Sequence, residues 1–249
     1  MKTMRSQIIS ALGRELKKDP AIFAFWLEGA DAHNVVDEYS DMDVWLDVRD
    51  GYEKRTVKKI QAILSEISPI DFQHEINHPD PKIHQTFFHL RGTSEFLIID
   101  VCVQSHSRKF FYTKGNVDEK VKIIFEKGRV IKFRKLNKLK LKAQTRKREA
   151  ELEKTFLFFQ AWVGKGIKRG DFLEALKYYH SFVLDPLVEL LRIRHEPTKR
   201  DFGLKHIKRD LPKRLVERVE DLYKIGSAKD ILLKTAKANR LFDETLKND

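Results

Sequence analysis

Hydrophobic and polar positions follow two different periods in the first half of the chain. Apolar residues spaced three and four apart predict amphipathic helices over residues 4–18 and 52–67. Compact or alternating apolar runs predict strands over residues 21–27, 43–48, 70–76, 84–91 and 95–104. Because these strands and the helices are intermixed, we predict an α+β domain here, with a mixed β-sheet flanked by helices.

The second half of the chain has only the helical period. Long helices are predicted over residues 136–164 and 171–195, the second with a kink or break at Pro186. Shorter helices are predicted over residues 210–224 and 228–247. A succession of helices without intervening strands is typical of an all-α helix bundle.

The distribution of charge supports the same division. Of the 49 Lys and Arg and the 37 Asp and Glu residues, positions 1–130 contain 19 and 20, and positions 131–249 contain 30 and 17. The first part is therefore nearly neutral at −1, whereas the second has a balance of +13. We predict two domains, residues 1–135 and residues 136–249, of which the second either faces an anion or presents a lysine-rich solvated surface.

Composition excludes several classes of protein. With 41% apolar residues and 17 Phe, the chain of 249 residues can bury a substantial core. The single cysteine, Cys102, excludes an internal disulfide framework and fits a reducing compartment. No secretory signal pattern is visible, and the longest apolar runs, FLII and FAFWL, are too short to cross a bilayer. We therefore expect a cytoplasmic protein without a membrane partner.

Candidate chemistry is concentrated between Glu28 and Val48, a stretch with seven carboxylates. Four of these are predicted to be solvated residues of the connecting turn, namely Glu28, Asp31, Asp37 and Glu38. Asp41 and Asp43 are two residues apart at a predicted strand start, so their side chains project to one face. They would repel each other unless a cation lay between them, and Mg²⁺ prefers one or two carboxylates together with phosphate oxygens. Asp100, the one charge in the apolar run FLIIDVCV, is the candidate third carboxylate, with a salt bridge as the structural alternative.

This arrangement resembles the DNA polymerase beta-like nucleotidyltransferases. In that superfamily a strand leads into a Gly-Ser turn, then a spacer and Asp-apolar-Asp-apolar, with a third carboxylate on a later strand. The antibiotic nucleotidyltransferases among them, which adenylylate aminoglycosides or lincosamides, add a helical C-terminal domain, and the second half of this chain resembles theirs only in being helical. The matching positions here are Gly29-Ala30, Ser40, Asp41-Met42-Asp43-Val44 and Asp100.

The resemblance implies a Mg²⁺-dependent, adenylyltransferase-like enzyme associated with antibiotic resistance. It would move a nucleoside monophosphate from ATP or another NTP to a hydroxyl of a small, antibiotic-like acceptor and release pyrophosphate. Residues 1–135 would be the catalytic domain, and residues 136–249 would bind the acceptor. Asp41, Asp43 and Asp100 would be the catalytic residues and would hold two Mg²⁺ ions. The candidate nucleotide-binding residues are Gly29, Ala30, Ser40, Lys205 and His206, the last two from a basic segment that interrupts the helices.

Two features leave alternatives open. Ala30 stands where the family has a serine that helps to hold a phosphate. This departure is compatible with a catalytically weakened nucleotide- or RNA-binding module, such as one component of a toxin–antitoxin pair. The balance of +13 disfavours a polycationic aminoglycoside and suits a neutral or anionic acceptor or a nucleic-acid 3′ end, although nucleic acid is not the favoured partner.

Overall fold

The computed structural model of the protein describes residues 4–247, and the chain forms two compact units that divide between Leu136 and Asn137. The first unit combines a mixed sheet with helices, and the second is helical. This confirms the predicted α+β class with a helical second half. None of the helices among residues 4–247 is long and apolar enough to cross a lipid bilayer.

The elements of the first unit follow the predicted rhythm closely. Its helices are α1 (Met4–Lys17), α2 (Gly29–His33) and α3 (Glu53–Ile67). Its strands are β1 (Ile22–Leu27), β2 (Met42–Val48), β3 (Ile70–Ile76), β4 (Ile83–Leu90), β5 (Ile99–Ser105), β6 (Tyr112–Lys114), β7 (Lys122–Glu126) and β8 (Phe133–Lys135). Strands β6, β7 and β8 are not predicted, because at three to five residues each they are too short for a period to show. The start of β5 also differs from its prediction at residue 95, because the Leu97 N–H donates to the Ser94 carbonyl in a turn before the strand, at 2.9 Å.

Six of the strands form one twisted sheet in the order β3-β4-β5-β2-β1-β7. Strands β2 and β5 are parallel, and the other neighbouring pairs are antiparallel. Strands β6 and β8 form a separate parallel pair. The two central strands, β2 and β5, are therefore side by side although fifty residues of chain separate them.

The alternation along β2 places its two kinds of side chain on opposite faces of the sheet. Val44, Leu46 and Val48 are fully buried in the main core of the unit. Helices α1 and α3 cover this core with apolar residues three or four apart, a spacing that aligns them on one helix face. Those helix residues are Ile8, Leu12 and Leu16 of α1 and Ile60, Ile63 and Leu64 of α3.

The other face of the sheet carries an aromatic cluster, here Trp26, Trp45, Phe110 and Tyr112. The Trp26 ring is fully buried and stacks on Trp45 and on Phe110, with ring centroids 5.9 and 5.8 Å apart. Tyr112 meets the edge of Trp26 at 6.5 Å. These aromatic rings fill the middle of the face. On β2 they separate Asp43 from Asp47, which lie on either side of Trp45 along the strand.

The second unit is a set of packed helices around its own apolar core. The predicted helix over residues 171–195 is divided, because Pro186 cannot donate to the Phe182 carbonyl and a π-helical turn, His180–Leu184, precedes it. The α-helices are α4 (Lys138–Lys168), α5 (Phe172–Tyr179), α6 (Asp185–His195), α7 (Ile207–Asp210), α8 (Lys213–Leu222) and α9 (Ala228–Lys247).

A close helix crossing in this unit depends on one glycine. A Cβ at Gly166 of α4 would lie 2.8 Å from the Ala175 backbone nitrogen of α5, closer than such atoms can approach. The missing side chain therefore permits the contact between these two helices. Asp171 begins α5 as its N-cap and accepts a hydrogen bond from the Glu174 N–H at 2.9 Å.

Candidate active site

Three carboxylates form a row across neighbouring strands at one end of the aromatic face. Asp43 of β2 lies directly opposite Asp100 of β5 in the parallel register. Glu28, just after β1, lies on the other side of Asp43. The backbone N–H of Glu28 donates to the backbone carbonyl of Asp43 at 3.1 Å. Pairing of neighbouring strands thus brings together residues that are far apart in the chain.

Gly29 makes room for the central carboxylate of this row. A Cβ built on Gly29 would lie 2.0 Å from Oδ2 of Asp43, and the backbone of Gly29 has φ +54°, in the left-handed region. Any other residue would therefore clash with Asp43 and adopt an unfavourable backbone conformation. The glycine turn and Asp43, which the sequence analysis places in one motif, are in direct contact.

Asp100 is a carboxylate with polar but no cationic partners. Both of its oxygens accept hydrogen bonds from the Gln85 amide, each at 2.8 Å. No basic side chain within residues 4–247 forms an ion pair with Asp100, so the salt-bridge alternative is wrong for the described chain. Burial raises the pKa of Asp100 above its usual range, and the nearby charge of Asp41 raises it further.

Asp41 and Ser40 lie in the loop that leads into β2, and Asp41 is exposed. The Ser40 hydroxyl donates to the Asp37 carboxylate at 2.6 Å, and the Ser40 carbonyl accepts a hydrogen bond from Arg5 of α1. The same guanidinium pairs with Asp31, which is buried, although the sequence suggests a solvated turn residue. Arg5 therefore holds both ends of the loop that carries Asp41.

Glu28 is also not the solvated turn residue that its surroundings in the sequence suggest. Its carboxylate accepts hydrogen bonds from the Tyr112 hydroxyl and from the Trp26 indole N–H, the latter at 3.1 Å. Burial raises the pKa of Glu28, while these two hydrogen bonds lower it. The Trp26 N–H also donates to the Tyr112 hydroxyl at 2.7 Å, so three side chains form one closed network.

The donor set of this edge fits a hard divalent cation, although no coordination sphere is preformed. Asp43 and Asp100 offer carboxylate oxygens in register, and the unfavourable proximity of Asp41 and Asp100 would be relieved by a positive ion. The nearby Cys102 thiol is not an alternative ligand, because burial raises its pKa and keeps it neutral. Within residues 4–247, no group of three or more His, Cys, Asp or Glu side chains is close enough to hold a metal ion. Metal binding by these aspartates stays a prediction.

The predicted nucleotide contacts Lys205 and His206 lie in the second unit, between a 3₁₀ segment (Pro197–Phe202) and α7. Both are exposed, and His206 has a left-handed backbone with φ +57°. The fully buried Arg192 shapes this segment by donating to the carbonyls of Gly203, at 2.6 Å, and of Lys205. Their role toward a nucleotide stays a prediction, as do those of Gly29, Ala30 and Ser40.

Comparison with known proteins places the chain in a family. The family model described as streptomycin adenylyltransferase matches residues 1–248. Two solved structures also match the chain, at low similarity. An aminoglycoside 6-adenyltransferase from Bacillus subtilis is 13% identical, with 99% of this chain and 90% of that chain covered and a TM-score of 0.39. A nucleotidyltransferase-like protein from Exiguobacterium sibiricum is 15% identical, with 96% and 75% covered and a TM-score of 0.36. No curated protein sequence matches the chain.

Proposed function

Because this chain belongs to the streptomycin adenylyltransferase family and is an adenylyltransferase enzyme, we propose that it transfers AMP from Mg·ATP to a hydroxyl of a small, antibiotic-like acceptor. The acceptor oxygen attacks the α-phosphorus, the new P–O bond forms, and the bond to pyrophosphate breaks. The observation that carries this proposal is the row in which Asp43 lies against Gly29 on one side and opposite Asp100 on the other.

The residues around Asp43 have distinct roles in the proposed reaction. Asp41, Asp43 and Asp100 would hold divalent metal through oxygen atoms, and Gln85 orients Asp100 for this role by donating to both of its oxygens. Mg²⁺ bound there would neutralise phosphate charge and lower the pKa of the acceptor hydroxyl. The backbone of Gly29 would lie closest to the phosphates, because no side chain covers it.

Ala30 lowers the number of phosphate donors without removing the site. A missing hydroxyl–phosphate hydrogen bond costs about 1–2 kcal/mol of nucleotide affinity. Backbone N–H groups at the start of α2 (Gly29–His33) remain available to a phosphate. We therefore assign the chain a working site with a weakened hold on the terminal phosphates, rather than a non-catalytic binding module.

We assign the catalytic role to residues 1–135 and acceptor binding to residues 136–249. The balance of +13 over residues 131–249 favours an acceptor that is neutral or anionic over a polycation. Lys205 and His206 are the proposed contacts of the second unit with the nucleotide. Their exposure and the buried Arg192 that supports their segment are consistent with that role.

Release of pyrophosphate tests the proposal. The protein is incubated with Mg²⁺, each of the four common NTPs and a panel of aminoglycosides, lincosamides and anionic acceptors. We expect release that depends on ATP and on one class of acceptor, and that falls about a hundredfold or more in Asp43→Asn. Glu38→Gln is the matched control, because Glu38 is an exposed carboxylate of the same loop. Absence of release with every combination, or equal rates in the two variants, would refute the proposal.

A further inference from the structure

A polar cavity lies on the aromatic face, at the opposite end from the carboxylate row. It is formed entirely by the first unit and has a volume of about 340 Å³. Asp47 of β2 lies at its base, four residues along the strand from Asp43, which corresponds to about 13 Å at 3.3 Å per residue. The polar and charged lining consists of Asp47, His106, Arg108, Lys109, Arg129 and Lys132, with Ser107 beside them.

A buried carboxylate fixes the histidine in this cavity. The Asp47 side chain is only 1% exposed, and its two oxygens contact Nδ1 of His106 at 2.6 Å and the Gln104 amide at 2.8 Å. Since Nδ1 donates to Asp47, the remaining ring nitrogen, Nε2, is available to another partner. The His106 side chain is 52% exposed, and the ring of Phe23 packs beside it at 4.4 Å.

The hydrogen-bond network continues beneath the cavity. The side-chain amide oxygen of Gln104, Oε1, accepts from Arg108 at 2.8 Å, and Arg108 also donates to Asp80 at 2.8 Å. The floor of the cavity is thus a network of three hydrogen-bonded side chains, Asp47, Gln104 and Arg108. None of them can move without breaking a buried or half-buried hydrogen bond. A solvated charged surface does not need such an arrangement, whereas a binding site does.

The wall of the cavity supplies cations that have no side-chain partner among the described residues. Lys109, Arg129 and Lys132 are exposed, and none of the three forms an ion pair or side-chain hydrogen bond with any other residue in the described range 4–247. With Arg108, four basic side chains therefore surround a cavity that holds one carboxylate, Asp47, already bonded to two neighbours. This excess of positive charge selects an anion.

We propose that the cavity is a binding site for a small phosphate-bearing anion, separate from the carboxylate row. His106, oriented by Asp47 and with a proton on both ring nitrogens, would donate through Nε2, and Lys109, Arg129 and Lys132 would neutralise the phosphate oxygens. The volume is at the lower end of the range for small-molecule pockets, which fits a free phosphate or pyrophosphate, or the phosphates of a nucleotide, better than a bulky ligand.

Inorganic pyrophosphate and ATP are the two probes. Each is titrated by calorimetry in the presence of EDTA, so that no divalent metal can bring it to the carboxylate row. The His106 side chain is followed by NMR in parallel. We expect at least one probe to bind and to shift the His106 resonances. If both bind, the probe with the lower dissociation constant shows whether the ligand is a free anion or a nucleotide.

The variant R129A/K132A is compared with K54A/K58A, which also removes two exposed positive charges, from α3 on the opposite face of the sheet. We expect the dissociation constant to increase about tenfold or more in the first variant and to stay the same in the second. His106→Gln should also weaken binding. Equal melting temperatures of the two double variants would establish that R129A/K132A is folded. The proposal is overturned if neither probe binds, if both double variants bind equally, or if the His106 resonances do not move at saturation.

Discussion

The carboxylate of Asp43 occupies the space in which a side chain at Gly29 would begin. Oδ2 of Asp43 lies 2.0 Å from the position of a Cβ on Gly29, and Gly29 has a positive φ. Because the Asp43 carboxylate is so close to the backbone of the turn, only glycine fits at position 29. The turn and the carboxylate are therefore a single structural feature, and a change in either should disturb both.

We expect Gly29→Ala to reduce kcat/KM for adenylyl transfer about a hundredfold, because displacement of Asp43 by an ångström misplaces the reacting groups. The left-handed backbone adds a loss of about 1–2 kcal/mol in the free energy of unfolding. Gly51→Ala is the control, since Gly51 also has a positive φ, +83°, but has no atom within 4 Å of the added Cβ. Urea denaturation should give similar losses for both, and only Gly29→Ala should lose activity; equal activities would contradict the steric argument.

Asp100→Asn should abolish activity and leave the metal-free protein as stable or more stable at neutral pH. Burial raises the pKa of Asp100 in the folded state, so its charged form destabilises the fold. This destabilisation is absent well below the usual pKa of 3.8 and increases as the pH rises through the raised value. Melting curves in EDTA should therefore show a gain for Asp100→Asn that is larger at pH 7.5 than at pH 4.5. A lower melting temperature at pH 7.5 would contradict the assignment of Asp100 as an electrostatically unfavourable ligand.

Tyr112→Phe should destabilise the first unit by about 1–3 kcal/mol, because Glu28 loses a hydrogen-bond donor in a desolvated position. Its charged form then becomes less favourable and the pKa of Glu28 rises further. The loss should therefore be larger at neutral pH than at a pH where this carboxyl group is protonated. Tyr39→Phe is the matched control, since Tyr39 is 63% exposed and its hydroxyl makes no hydrogen bond within residues 4–247. Denaturation at both pH values would measure the difference, and a loss that does not depend on pH would contradict the role assigned to Glu28.

Gly166→Ala should destabilise the second unit by about 1–3 kcal/mol, because the added methyl group would force α4 and α5 apart. Gly164→Ala in the same helix is the control, as a Cβ there has no neighbour within 4 Å. Since alanine is the better helix former, the control should gain up to about 1 kcal/mol. If the urea midpoint falls in Gly166→Ala and rises in Gly164→Ala, the close contact between α4 and α5 at Gly166 is supported. Changes of the same sign in the two variants would argue against it.

The longer elements of the first unit are predictable from the sequence, because each depends on a local pattern. The strand over residues 70–76 has the predicted bounds, and α1 ends one residue before its predicted end. Strands β6, β7 and β8 are not predicted, since a strand of three to five residues shows too little of a period. The break at Pro186 is predicted, but periodicity does not reveal the π-helical turn that precedes it.

The candidate site is predictable only in part. Asp41, Asp43 and Gly29 are neighbours in the chain, so their spacing and the chemistry of paired carboxylates identify them. The residues around Glu28 in the sequence are those of a solvated acidic turn. Its carboxylate nevertheless accepts a hydrogen bond from the hydroxyl of Tyr112, 84 residues away. A half-buried tyrosine beside a sheet is common, and nothing in its local sequence indicates its partner.

The sequence by itself determines the period of the longer elements and the face of the strand on which Asp43 lies. The need for glycine at position 29 comes from contact with Asp43 in the tertiary structure. Only the tertiary structure decides that Asp43 is opposite Asp100 and that Asp47 meets His106. The physical reason is that alternation selects a face within one strand, whereas adjacency and register depend on which strands pair. Here the order β3-β4-β5-β2-β1-β7 makes neighbours of strands that are distant in the chain, and long-range packing alone selects it.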